Sequence, residues 1–133
     1  MAGDAIVARA RALIGTRFRF QGRDSAGLDC VGLVGRAYDA DDLPADYGWR
    51  GSADRWIALL DARLARCPPP PALGDVLVLQ AGPSQLHLGI WSGSGLIHAH
   101  AGLRRVVETP GPPAWPLLGC WTMRKDAPWP PLS

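Results

Sequence analysis

Hydrophobic residues recur along the chain with two different periods, and the change falls at a run of four prolines, Pro68 to Pro71. Ahead of the run the spacing is helical. Ile6, Val7, Ala10, Leu13 and Ile14 share one face of a predicted helix, with Asp4 placed to cap it and Gly15 to end it. Residues 16–29 read as a loop or short extended piece. A second helix is predicted from Asp29 or Cys30 to Ala40, with Cys30, Leu33, Val34, Ala37 and Tyr38 on its inner face. Residues 41–51 are polar and turn-rich. Ser52 then stands where it caps a third helix that turns Trp56, Leu59, Leu60 and Leu64 inward.

The prolines cannot continue a helix, and the chain beyond them reads as strand. "DVLVLQ" (75–80) is a short apolar run suited to a buried strand. "LHLGIW" (86–91) alternates, "SGSG" (92–95) is a turn signal, and "LIHAHA" (96–101) completes a hairpin. "RRVVET" (104–109) and "LLGCWTMR" (117–124) are two further strands, joined by the loop "PGPPAWP". Helices first and a meandering antiparallel sheet afterwards make an α+β pattern. The 133 residues suit one domain, with 126–133 an irregular tail of proline and tryptophan.

Composition narrows the function classes. A hydrophobic share of 47% with 20% charged residues is the ordinary balance of a soluble globular protein. A net charge of +2, with the arginines scattered, leaves no footprint for nucleic acid. No run approaches the roughly 18–20 apolar residues of a membrane span. The N-terminus lacks the basic leader and apolar block of a secretory signal, so synthesis in the cytoplasm without membrane insertion is expected. Three widely spaced cysteines do not form a disulfide framework and are expected to be free thiols.

Candidate chemistry starts at Cys30. Most cysteines are small buried hydrophobes, and Cys67, at a helix end, and Cys120, inside an apolar strand, fit that description. Cys30 differs because it opens a helix, where unpaired N–H groups and the dipole favour a thiolate. Its own backbone N–H is also placed to stabilise an oxyanion. All three histidines, His87, His98 and His100, fall in one predicted hairpin. His87 lies two residues before Gly89 on the same strand face, and the missing side chain leaves room for the helix end to dock there. His87 then serves as general base for the thiol. If Trp91 pairs with Leu96, Gly89 faces His98 and His87 faces His100. Both histidines then share a face with His87, and pairing arithmetic slightly prefers His100 as the residue that orients its ring. A metal held by the three histidines is the competing use, but no suitably spaced carboxylate or cysteine joins them and Cys30 is left unexplained. No cofactor is called for.

Four pieces of the chain, in order, resemble the NlpC family of cell-wall peptidases. "IGTRFRFQGRDSAGLDCVGLV" (14–34) resembles the approach to the family's nucleophile, and "LGDVLVL" (73–79) its Gly-Asp strand. "HLGIW" (87–91) resembles the base motif, and "LIHAH" (96–100) the strand with the third polar residue. The resemblance implies a permuted papain-like fold and a cysteine peptidase acting on peptidoglycan stem peptides, typically at a D-glutamyl linkage to a diamino acid. By position it implies Cys30 as nucleophile, His87 as base and His98, rather than His100, as orienting residue. Asp29 and Phe18 fall at substrate-side positions. Phe18 stands where the family often has tyrosine, and Val31 where it usually has serine. The small size and Trp-rich end resemble the branch found in phage tails and gene-transfer agents, which implies particle proteins as partners and action at the cell wall. Two other readings stand beside this one. One is a structural tail or wall-binding module with a decayed site; the other is a thiol amidase or acyltransferase on another substrate.

Overall fold

The computed structural model describes residues 2–24, 26–39, 53–83 and 85–123. Three helices lead, α1 (Ala2–Arg11), α2 (Cys30–Ala37) and α3 (Ala53–Arg63). Between the first two lies a small hairpin, β1 (Arg23–Asp24) and β2 (Gly27–Leu28). The main sheet comes after them: β3 (Ala65–Cys67), β4 (Val76–Gly82), β5 (Gln85–Trp91), β6 (Gly95–His100), β7 (Arg105–Pro110) and β8 (Leu117–Thr122). All of its pairs are antiparallel, in the order β3-β8-β4-β5-β6-β7. This is the α+β architecture that the two hydrophobic periods predict.

Each face of the sheet has its own core. Ile6, Val7 and Ala10 of α1 and Leu33, Val34 and Ala37 of α2 pack with Val76, Val78, Leu88, Ile90 and Ile97. On the opposite face Leu77, Leu79, Leu96 and Cys120 form a second cluster, flanked by Trp91 and Trp115. Strand β4 is therefore buried on both sides, which is why its sequence shows an apolar run and no alternation. A third, smaller cluster joins Val31 of α2 to Trp56 of α3.

The helix boundaries depart from expectation at particular residues. Asp4 lies inside the first turn of α1 and does not cap it; from there its charge still favours the helix dipole. Because α1 stops at Arg11, Ile14 leaves the helical face and is 44% exposed. Gly15 comes next with φ +94°. Helix α2 ends at Ala37, short of Ala40. Ser52, residues 41–51, Arg124 and the tail with Trp129 lie outside the described residues. Strand β3 and the hairpin were not anticipated, since two- and three-residue runs carry no period.

One edge of the sheet is covered by the chain that leaves α1. Gly15 N–H donates to Val106 O, Val106 N–H to Thr16 O and Phe18 N–H to Arg104 O, at 2.9 Å each. Arg11, at the end of α1, adds a two-pronged contact to Glu108 of β7, both N···O distances 3.0 Å. Residues 15–18 thus ride on β7, which sets Phe18 beside the site.

Candidate active site

Cys30 is the first residue of α2, and Asp29 is its cap. Asp29 Oδ1 accepts from Gly32 N–H at 2.9 Å and Oδ2 from Gln21 N–H at 2.8 Å. One buried carboxylate therefore starts the helix and ties down the preceding loop. Both oxygens of this expected substrate-side residue are in use within the chain.

Strands β5 and β6 pair at Trp91↔Leu96 and Ile90↔Ile97, and their ladder stops there. The register at the turn is the expected one, but its continuation to His87 opposite His100 does not form. His87 Nε2 and His98 Nδ1 instead share a hydrogen bond of 2.7 Å, a diagonal contact, with ring centroids 4.9 Å apart. His98 Nε2 and Thr109 Oγ1 lie 2.9 Å apart. His100 Nδ1 accepts from Leu103 N–H at 3.0 Å. The hydroxyl of Thr109 can accept the His98 Nε2 proton, which leaves His98 Nδ1 to accept from His87 Nε2–H. His87 Nδ1 is then the nitrogen available as a base.

Cys30 and His87 line one cavity, together with Phe18, Asp29, Trp56 and Trp115. The helices pack on the Leu88 and Ile90 face of β5, whereas His87 lies on the other face, opposite Leu79. The two residues meet at the cavity because β5 and β6 part beyond Ile90. The expected docking at Gly89 does not occur. A side chain there would run into Leu96 and the carbonyl of Ile97, so the vacant space belongs to β6.

The ionisation of the cysteine also departs from expectation. Burial, and then the charge of Asp29, push the Cys30 thiol up to about 12. Backbone hydrogen bonds from Leu88, Val31 and Cys30 itself pull the other way but do not prevail. Leu88 lies beyond the last β5–β6 pair and still pairs with Val78 of β4. Burial, then His98 and His100, hold His87 down at about 3, and burial with His100 holds His98 at about 4. The resting pair is a neutral thiol beside a neutral imidazole, in place of the thiolate expected from the helix start.

Sequence reasoning missed Thr109, Trp56 and Trp115 as parts of this region. Thr109 was within reach, because His98 pairs with Val107 and Thr109 is the next residue on that strand face. Trp115, whose ring centroid lies 5.0 Å from that of His87, sits in a proline-rich loop that has no readable period. Among the described residues, no group of three or more His, Cys, Asp or Glu side chains is arranged to hold a metal ion.

Helices packed on a six-stranded antiparallel sheet give this α+β protein a papain-like fold. Solved structures place the fold within that class as the NlpC/p60 fold. The NlpC/p60 domain of the peptidoglycan hydrolase SagA superposes with a TM-score of 0.64 at 25% identity, over 91% of this chain and 98% of that one. NlpC2 from Trichomonas vaginalis gives 0.69 at 17% identity, covering 91% of this chain, which spans 48% of that protein. RipD from Mycobacterium tuberculosis, described as a non-catalytic NlpC/p60 domain protein adapted to peptidoglycan binding, gives 0.60 at 17%, over 94% and 98%. No protein-family model and no curated protein matches the sequence.

Proposed function

We propose that this chain is a cysteine peptidase that hydrolyses amide bonds in peptidoglycan stem peptides. The observation that carries the reading is the convergence of Cys30 and His87 on one cavity, with His98 hydrogen-bonded to the far side of the His87 ring. The likeness to the SagA domain, part of a peptidoglycan hydrolase, supports the substrate class. In this reading Cys30 Sγ attacks the amide carbonyl as its proton passes to His87 Nδ1. The Cys30 N–H faces the developing oxyanion. His87 then protonates the leaving amine, and water attacks the acyl-enzyme with His87 again as base. His98 holds the ring tautomer throughout. Because the resting pair is neutral, the proton transfer belongs to the reaction itself. Phe18 and Asp29 form substrate-side walls of the cavity, and a D-glutamyl bond to a diamino acid is the proposed scissile bond.

Purified peptidoglycan incubated with the chain is expected to release stem-peptide fragments, identified by mass. Cys30→Ala is expected to abolish release while circular dichroism stays unchanged. Equal release by both proteins would sink the reading, and fragments of another linkage would move the reaction to the amidase or acyltransferase class.

A wall-binding module is the second reading, favoured by RipD, whose non-catalytic domain has the same fold. It predicts sedimentation with peptidoglycan sacculi and no fragments from either protein. Work inside a phage tail or gene-transfer-agent particle rests on the sequence resemblance alone. Detection of the chain in purified particles tests that placement.

A further inference from the structure

Two cysteines remain outside the cavity, and they face each other. Cys67 of β3 and Cys120 of β8 are direct register partners in an antiparallel ladder. Such partners have Cα atoms about 4.5 or about 5.5 Å apart, depending on the kind of pair, and both values fall inside the roughly 4.4–6.8 Å range of disulfides. The two thiols lie close enough to perturb each other's ionisation. All three cysteines of the chain are thiols in this structure.

The surroundings give the two sulfurs unequal access. Strand β3 is the edge of the sheet, and Cys67 is half-buried there. Cys120 is fully buried, between the edge strand and β4. Asp75 Oδ2 accepts from Cys67 Sγ at 3.5 Å and from Ala72 N–H at 2.8 Å. An oxidant therefore meets Cys67 first, and Cys120 is reached through Cys67.

We infer that Cys67 and Cys120 are the two halves of a cross-strand disulfide, formed by exchange with a small disulfide oxidant and separate from the chemistry of Cys30. In the first step the Cys67 thiolate attacks one sulfur of the oxidant, giving a mixed disulfide and releasing one oxidant thiolate. In the second the Cys120 thiolate attacks the Cys67 sulfur, closing the protein disulfide and releasing the other oxidant thiolate. The two protein thiols are oxidised, the oxidant disulfide is reduced to two thiols, and the two protons end on those thiols. Asp75 is already bonded to the S–H of Cys67, the thiol that must lose its proton first. The same carboxylate, after burial, raises the Cys67 thiol to about 12. Exchange is therefore slow near neutrality and speeds up about tenfold per pH unit as the thiolate fraction grows. The bond ties the edge strand to the sheet interior directly after α3, the helix that brings Trp56 to the cavity wall.

The test uses the full chain carrying Cys30→Ala, treated under native conditions with glutathione disulfide and then mapped without reduction after alkylation. The expected product is lighter by two hydrogens, yields a linked peptide pair containing Cys67 and Cys120, and reverts with a reductant. It should also melt several degrees higher, because the closed loop is long. Cys67→Ser, a change at the half-buried edge position, is expected to give no linked pair. Cys30→Ala chain that keeps both thiols alkylatable after denaturation, or that stops at a stable glutathione adduct on Cys67, overturns the inference.

Discussion

Asp29 has two effects on Cys30 that pull in opposite directions. Its carboxylate caps α2 and so holds the cysteine at the helix start, while its charge, second to burial, disfavours the thiolate. Asp29→Asn keeps an oxygen to accept from Gly32 N–H and removes the charge. Loss of a nearby negative charge favours the ionised thiol, so the Cys30 pKa should fall. Iodoacetamide should then alkylate Cys30 several-fold faster at fixed mildly alkaline pH, in a background with Cys67 and Cys120 replaced by serine. An equal or slower rate would contradict the assigned role of Asp29. The placement of Cys30 and His87 was legible in the sequence, since a helix start and a strand alternation are local signals. The ionisation of the thiol was not, because burial and a capping carboxylate outweigh a helix terminus.

At the scale of elements, the site depends on two strands that begin as a hairpin and then part. Gly89 sits at that parting, with Leu96 filling the space its side chain would take. In Gly89→Ala the added methyl meets both the flexible Leu96 and the fixed carbonyl of Ile97. We expect a stability loss of about 1–3 kcal/mol in urea unfolding, the cost of overpacking. Peptidoglycan fragment release should fall with it, because His87 lies two residues away on the same strand. An Ala variant as stable and as active as the parent would show that the strands tolerate wider separation. The helices and five long strands were legible because each carries its hydrophobic pattern, a period or in β4 a continuous apolar run, through an element of six or more residues. Where a ladder stops leaves no local signal, so pairing arithmetic prefers His100, whereas the resemblance points to His98, the residue that bonds His87. Strand β3, only three residues long, was invisible for want of a period.

For the whole molecule, burial of two neutral histidines links folding to acid. An unfolded histidine takes a proton near 6.5, whereas His87 holds out to about 3 and His98 to about 4. The unfolded chain therefore binds more protons in that window. The stability that the neutral pair contributes is complete above about 6.5 and drains away as pH falls through 4 toward 3. The urea midpoint should drop between pH 7 and pH 4, and a His87→Gln/His98→Gln variant should show a shallower fall. Identical slopes in the two proteins would assign the acid sensitivity elsewhere, for instance to Glu108, which Arg11 holds below the usual carboxylate range. Residues 15–18, laid along β7, have a further consequence. A bare edge strand offers free N–H and C=O groups to any other chain, and it is the usual starting point for intermolecular aggregation. The segment that sets Phe18 at the cavity wall also occupies that edge, so one stretch of backbone both shapes the pocket and helps keep neighbouring copies apart.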